Sequence, residues 1–287
     1  MPAWTAPPHP LPGPRKLTCG RFELSLERPL VMGVVNVTPD SFSDGGRFFD
    51  PHVAAKHARQ LAEEGADIID IGGESTRPGA APVSAREELD RILPVLEKIA
   101  DLCVSVDTRR PQVMQAALRA GASMINDVEA LEAPGALEAV AQSRCAVCLM
   151  HKKGDPATMQ RDPHYDDVVR EVGAYLRARV EAATAAGIAA ARIVVDPGFG
   201  FGKTAEHNLE LLRNLSSLSR FPILAGLSRK STLGKLTGRP VGERLAGSLA
   251  MALLALQSGA TILRVHDVKE TRDVIAVWES FEKTLRN

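Results

Sequence analysis

The sequence predicts an α/β fold, a single (β/α)8 TIM barrel. From residue 30 onward, short apolar runs rich in β-branched residues alternate with longer segments of helical period, as in parallel βα units. Eight such units occupy most of the 287 residues, which suits one barrel. No linker rich in proline or serine follows residue 14, so we expect one domain over 17–287. A doubly wound open sheet is the competing architecture.

The first 16 residues are predicted to form a flexible, disordered tail. They contain six prolines and lack the basic start and apolar core of a secretory signal peptide. Residues 17–27 alternate around Cys19 and Gly20, which favours a short β-hairpin ahead of the barrel.

The barrel elements follow from apolar runs and from helix-end residues. The predicted strands are 31–36, 67–71, 103–107, 124–127, 146–151, 193–196, 223–226 and 262–266, and the predicted helices are 51–65, 84–100, 111–121, 134–142, 166–187, 204–215, 243–259 and 269–285. Pro51 and Pro111 stand in first turns, where a missing N–H is harmless, and Pro94 predicts a kink in the second helix.

Composition excludes several classes of partner. Lysine plus arginine and aspartate plus glutamate both number 35, so the net charge is +0 and nothing favours nucleic acid or an anionic membrane as partner. The most apolar stretch, 245–256, is too short to span a bilayer. We therefore expect a cytoplasmic protein.

The cysteines are predicted to be buried thiols. Cys145 and Cys148 form a C-x-x-C in an apolar run, and an odd spacing along a strand points side chains to opposite faces. A redox pair is the alternative interpretation.

Polar residues stand at the carboxyl ends of all eight predicted strands, where barrels of this kind carry their active sites. In chain order these residues are Asn36; Glu74, Thr76 and Arg77; Asp107; Asn126 and Asp127; His151; Asp196; Ser228, Arg229 and Lys230; and Arg264 and His266. Any one of them is equally well explained as a cap or loop anchor, but the full set favours a binding site.

The residue types suggest the ligand. A cationic set suits a phosphate or diphosphate, and it comprises Arg77, Lys230, Arg264 and His266. A planar set suits a flat heterocycle with both donors and acceptors, and it comprises Asp107, Asn126 and Asp196. Asn36, near Asp40 and Asp44, is an oxygen donor of the kind that Mg²⁺ takes beside substrate phosphates.

The glycine-rich run 197–204 resembles a phosphate-binding loop without matching one. Pro197 replaces its first glycine, and Lys203 occupies the last glycine position of a dinucleotide-binding fingerprint. A tight glycine turn that lets backbone approach a ligand and leads into a helix fits better. Phe201 is then a pocket wall or a packing residue.

Two connections, 38–50 and 72–83, are long for a barrel. Loops of this length in a compact domain are typical of functional lids or of disorder. We expect both to be mobile and to close over a bound ligand that carries a diphosphate, with Arg77 linking closure to the anion.

Several motifs together resemble dihydropteroate synthase, a pterin-binding family, in that family's order from Leu30 to the C-terminus. They are 36–46 (NVTPDSFSDGG), 70–79 (DIGGESTRPG), 196–203 (DPGFGFGK), 228–231 (SRKS) and 264–268 (RVHDV). The resemblance implies a folate-pathway transferase that joins 4-aminobenzoate to 6-hydroxymethyl-7,8-dihydropterin diphosphate. It also implies a Mg²⁺ requirement, a homodimer and inhibition by aryl sulfonamides.

The same resemblance implies roles for individual residues. Asn36 matches the Mg²⁺ ligand, and Ser231 matches the backbone site for the 4-aminobenzoate carboxylate. The diphosphate contacts would be Thr76, Arg77, Arg264 and His266, the pterin-binding residues Asp107, Asn126, Asp196 and Lys230, and the catalytic residues Lys230, Arg264, His266 and Asp107. For Asp70 and Asp127, direct and indirect roles both remain open.

Two other functions compete with this one. A pterin-binding methyltransferase domain shares the barrel and a similar ring-binding set, and it would act on methyltetrahydrofolate. A non-catalytic pterin-binding barrel is the second alternative. The motifs 228–230 and 38–42 favour the synthase, and Lys230 and Arg264 argue against a non-catalytic barrel.

Overall fold

The computed structural model describes residues 15–37, 50–74, 83–155 and 158–285. Within these ranges the strands are β1 (Lys16–Cys19), β2 (Phe22–Ser25), β3 (Leu30–Asn36), β4 (Ile68–Gly72), β5 (Val104–Asp107), β6 (Met124–Asp127), β7 (Ala146–Met150), β8 (Ile193–Asp196), β9 (Leu224–Ala225) and β10 (Ile262–Val265). The helices are α1 (Pro51–Glu63), α2 (Ala85–Lys98), α3 (Pro111–Arg119), α4 (Ala136–Ala141), α5 (Val168–Ala185), α6 (Ala205–Arg213), α7 (Ser231–Thr237), α8 (Leu245–Gln257) and α9 (Val268–Leu285).

The strands β3 to β10 form one parallel sheet that curls into a barrel. Their order around the sheet is β8-β7-β6-β5-β4-β3-β10-β9, and a parallel bridge between Val195 and Ile223 joins its two edges. The predicted barrel is confirmed, and with it the antiparallel hairpin of β1 and β2. The predicted tail over 1–16 lies almost wholly outside the described residues.

Predicted helices end within two residues of the observed bounds, with one correction. Helix α7 was not predicted: it begins directly after Lys230 in a segment to which we assigned neither helix nor strand. It has seven residues, and Gly234 and two threonines weaken its helical signal. Helix α2 continues through Pro94 from Ala85 to Lys98, so the proline lies inside the helix without ending it.

Buried apolar side chains form two layers, one between sheet and helices and one inside the barrel. Strand alternation assigns them, so that Val31 packs outward and Met32 packs inward. Cys145 belongs to the outer layer and Cys148 to the inner one, which confirms their opposite faces. All four cysteines are free and buried.

The N-terminal hairpin covers the amino-terminal end of the barrel. Leu17 and Cys19 of β1 are fully buried in the inner apolar layer. Cys19 Sγ donates to the Ser123 carbonyl at 3.3 Å, and Gly20 N donates to the Arg144 carbonyl at 3.1 Å. The opposite, carboxyl end of the barrel is the one that carries the polar residues. None of the helices described is long and apolar enough to cross a membrane.

Candidate active site

Polar side chains from four strands meet at the carboxyl end of the barrel. Arg264 on β10 donates from Nε to Asp70 Oδ2 at 2.7 Å, and from a terminal nitrogen to Asp107 Oδ2 at 2.9 Å. Asn126 on β6 donates from Nδ2 to the same Asp70 oxygen at 3.3 Å. One guanidinium and one carboxylate therefore link β4, β5, β6 and β10.

Burial governs the ionisation of this group. It raises the pKa of Asp107 to about 7, a shift that Arg264 opposes and Asp70 reinforces. Burial disfavours the charge on Arg264, but the Asp70 and Asp107 carboxylates outweigh it, so the pKa of Arg264 lies above its usual value. Asp70 is fully buried, and its Oδ1 has no hydrogen-bond partner among the described residues. The charges of the pocket are thus paired with one another inside the protein.

A second carboxylate and a lysine lie at the adjoining strand ends. Asp196 ends β8, is 4 % exposed, and accepts a hydrogen bond from Gly198 N at 2.7 Å. Lys230 donates from Nζ to the Phe199 carbonyl and lies 4.8 Å from the centre of the Phe201 ring. Burial raises the pKa of Asp196, which Lys230 opposes, and burial lowers the pKa of Lys230 to about 8, which Asp196 opposes. The two groups form a partly compensated pair beside an aromatic wall.

The glycine turn after β8 packs against the protein's own backbone. A Cβ on Gly198 would lie 1.8 Å from the His151 carbonyl oxygen, and one on Gly202 would lie 2.1 Å from that of Lys153. Both glycines have positive φ, +67° and +65°. The close approach observed at this turn is therefore to the backbone of residues 151–153, whereas the predicted approach was to a ligand. Helix α6 follows at Ala205, as expected.

The ends of β9 and β10 supply the remaining polar groups. Ser228 Oγ lies 3.0 Å from His266 Nδ1, and Arg229 Nε donates to Asp267 at 3.1 Å. Ser231 is exposed as the first residue of α7. Asn36 ends β3, is partly buried, and pairs in register with Gly72 of β4. These positions surround the same end of the barrel as Arg264.

Some predicted residues lie outside the described ranges. They are Thr76 and Arg77 of the second long connection, and Asp40 and Asp44 of the first, together with the expected closing motion of both connections.

Sequence reasoning left Asp70 undecided and missed Arg110 as a connecting residue. Arg110 follows β5 and donates to both Glu74 oxygens at 2.9 Å, to Glu88 at 2.5 Å and to the Val83 carbonyl at 2.6 Å. Glu88 is fully buried, and burial raises its pKa. The sequence of α2 contains a feature that points to such a residue, because Glu88 shares the buried helix face with Ile92 and other apolar residues. A carboxylate on such a face requires a buried cation.

The chain is similar in sequence to proteins of one enzyme family. Residues 32–266 match the model of the pterin binding enzyme family. The chain is 50 % identical over 270 residues to a dihydropteroate synthase of Escherichia coli strain K12, covering 92 % of this chain and 96 % of the relative.

Solved structures of the same enzyme share the fold of this chain. A Xanthomonas albilineans dihydropteroate synthase with 4-aminobenzoic acid superposes with a TM-score of 0.88 at 54 % identity, covering 93 % of this chain and 98 % of that one. A Yersinia pestis dihydropteroate synthase with a sulfonamide drug gives a TM-score of 0.89 at 48 % identity, with coverages of 93 % and 99 %. The chain therefore belongs to the pterin-binding enzymes and, within them, to the dihydropteroate synthases.

Proposed function

We propose that the pocket around Arg264 binds the pterin ring of 6-hydroxymethyl-7,8-dihydropterin diphosphate. The observation that carries this assignment is the cluster of two carboxylates, an amide and two cations at one end of the barrel: Asp107, Asp196, Asn126, Lys230 and Arg264. Carboxylates accept the adjacent N–H groups of an aminopyrimidine ring, and Lys230 and Asn126 donate to its acceptors. The half-buried Phe201 ring forms a wall.

The diphosphate would lie toward the outer edge of this cluster. Arg264 is 22 % exposed, which leaves part of its guanidinium free to contact an anion beyond the two carboxylates. His266 reaches the same side, oriented by Ser228 at 3.0 Å. Thr76 and Arg77 join them as proposals based on the family motif. The Ser231 backbone would receive the carboxylate of 4-aminobenzoate.

The residues present fit a Mg²⁺ ion that arrives with the diphosphate. Among the described residues, no group of three or more His, Cys, Asp or Glu side chains could hold a metal ion. Asn36 offers one amide oxygen at the end of β3, and Mg²⁺ beside substrate phosphates needs only one or two protein ligands. When bound, Mg²⁺ would neutralise charge on the departing diphosphate.

The chemistry then requires binding and charge stabilisation from the protein. The bond between the pterin methylene carbon and the diphosphate oxygen breaks, and the oxygen keeps the electron pair. The 4-aminobenzoate nitrogen forms the new C–N bond and then loses its proton. Arg264 and His266 stabilise the leaving anion as its charge grows, while Asp107 and Asp196 favour positive charge on the ring. No covalent enzyme intermediate is needed.

The alternatives are less well supported. The Escherichia coli relative and the Xanthomonas albilineans structure carry the name of the synthase rather than of a methyltransferase. A non-catalytic barrel would have no need for the paired Arg264 and the Lys230 beside Asp196 that the carboxyl end retains.

One assay tests the activity. The purified chain is incubated with Mg²⁺, the pterin diphosphate and 4-aminobenzoate, and dihydropteroate and released diphosphate are measured together. We expect both in equal amounts, and we expect an aryl sulfonamide to compete with 4-aminobenzoate. Diphosphate release without dihydropteroate would indicate hydrolysis and contradict the proposal.

We further propose a cytoplasmic homodimer. Exposed apolar side chains on α7, α8 and α9 support this: Leu236, Leu245, Leu254, Val277 and Phe281 are each at least 40 % exposed. Other residues of α8, such as Met251 and Leu256, are buried within the protomer, so burial explains only part of that helix's apolar character. Light scattering that finds a protomer mass of 30.8 kDa would contradict the dimer.

A further inference from the structure

A buried lysine lies beneath the pocket and is not accounted for by ligand binding. Lys203 is 2 % exposed and follows the glycine turn between β8 and α6. Its Nζ lies 3.0 Å from the Gly198 carbonyl, 3.0 Å from the Phe201 carbonyl and 2.9 Å from His151 Nδ1. A longer contact of 3.5 Å joins the same Nζ to the His151 carbonyl. An ammonium has three donors, so the three shorter contacts are enough to satisfy it.

The ionisation of its neighbour agrees with this arrangement. Burial, reinforced by the charge of Lys203, lowers the pKa of His151 to about 3, so the imidazole is neutral and its Nδ1 is able to accept. Burial also lowers the pKa of Lys203 to about 7, a shift that the Asp196 carboxylate opposes and Lys230 reinforces. The three acceptors favour the charged form in the same direction.

The two carbonyls that Lys203 holds belong to the turn that positions Lys230. Between Gly198 and Phe201 lies Phe199, whose carbonyl accepts from Lys230 Nζ. The Phe201 ring lies 4.8 Å from that same Nζ. One lysine therefore fixes both ends of the segment 198–201, and the middle of that segment holds the other lysine.

We propose that Lys203 is a positioning residue for the pterin pocket. Its ammonium fixes the segment 198–201, and the segment in turn fixes Lys230 and the Phe201 wall against the ring. This inference rests on the proposed function of Lys230 in ring binding. The inference adds Lys203 to the residues that support pterin binding, as one that does not touch the ligand and acts through a backbone turn.

A double-mutant cycle on ligand affinity tests the inference. The variants are Lys203→Met, which keeps chain length but removes the donors, Lys230→Met, and the pair. Affinity for the pterin diphosphate is measured by calorimetry in Mg²⁺. We expect Lys203→Met to weaken binding about tenfold, because three buried acceptors lose their donor. We expect the pair to lose less affinity than the product of the two single losses, because Lys203 acts partly through Lys230 and partly through the Phe201 wall.

Tyr165→Phe is the matched control. Tyr165 donates from its hydroxyl to the Gly202 carbonyl at 2.9 Å, on the same turn but outside the segment 198–201. We expect its affinity to stay within about twofold of the parent, and the same weakening in this variant as in Lys203→Met would overturn the inference by showing that any lost contact to the turn suffices.

The remaining outcomes also decide the question. A folded Lys203→Met with unchanged affinity, or a pair whose losses multiply, would overturn the inference. If Lys203→Met does not fold, His151→Phe replaces it in the cycle: it removes one acceptor and keeps a ring. We then expect a smaller weakening that is again reduced when Lys230→Met is present, and an unchanged affinity would overturn the inference. The cycle measures affinity, so failure of the parent to form dihydropteroate would count against the proposed function alone.

Discussion

Arg264 donates to the Asp107 carboxylate at 2.9 Å, although the two residues lie 157 positions apart in the sequence. The closure of the barrel makes this pair, because β10 and β5 lie on the same ring of strands. The pair fixes the position of a carboxylate that would otherwise rotate freely at a strand end. It also places a cation at the boundary between the proposed ring and diphosphate sites.

Asp196→Asn should weaken pterin diphosphate binding about ten- to a hundredfold, because an amide donor replaces an acceptor in a buried pocket. Calorimetry with Mg²⁺ present measures the change. The matched control is Asp101→Asn, which alters an exposed carboxylate at the opposite end of the barrel. Equal affinities for the parent and Asp196→Asn would show that Asp196 does not bind the ring.

Ring binding should weaken as the pH falls through about 7. The pKa of Asp107 is raised to about 7, so its carboxylate is lost to protonation below that pH, and an uncharged acid accepts less well. Titration with 6-hydroxymethylpterin, which has no diphosphate of its own to ionise, measures the effect. Asp107→Asn should flatten the acid side of the profile. A parent profile with no change between pH 8 and pH 6 would contradict the role of Asp107.

Asn36→Ala should reduce the dependence of substrate binding on Mg²⁺. The variant removes the single amide oxygen that ends β3, so the ion loses its link to the protein and the anion is less well compensated. Diphosphate release is measured against Mg²⁺ concentration, and Asn214→Ala provides an exposed-asparagine control. Full activity of Asn36→Ala together with full activity in chelator would rule out the proposed metal site.

Arg110→Met should destabilise the fold by about 3 kcal/mol or more, because it leaves a buried carboxylate without its cation. Glu88, the carboxylate concerned, is fully buried. Urea denaturation measures the loss, and adding Glu88→Leu should restore part of it. Arg59→Met is the control: its pair with Asp101 is exposed, and we expect a change below about 1 kcal/mol. A similarly small change for Arg110→Met would contradict the role of this arginine.

The sequence predicts most of the fold because the information is local. Apolar runs of strand length and helices bounded by glycine or proline locate all eight barrel strands and every described helix except α7, with helix ends within two residues. Helix α7 was not predicted because it is short and follows a strand of only two paired residues, Leu224–Ala225. Its stability comes from tertiary packing of Thr232 and Leu233, which no local pattern contains.

The site is predictable in part for the same reason. Barrel topology places every strand end at one end of the barrel, so the meeting of Asp107, Asn126, Asp196 and Arg264 there was predictable from position alone. The hydrogen bond between Arg264 and Asp70 could not be predicted in this way, because the two residues are 194 positions apart. Lys203 was noticed only where it breaks a motif, since its three acceptors come from backbone and from a histidine 52 positions away.

The hairpin of β1 and β2 and the apolar layer behind it close the amino-terminal end of the barrel. Leu17 and Cys19 lie against Met32, Ile68 and other fully buried residues of that layer, so small molecules reach the polar pocket from the opposite end. In the part of the chain that the structure describes, substrates and product then share one entrance. Dihydropteroate, which spans both halves of the reaction, must leave by the route through which the next pterin enters, so each turnover has to clear the entrance before another begins.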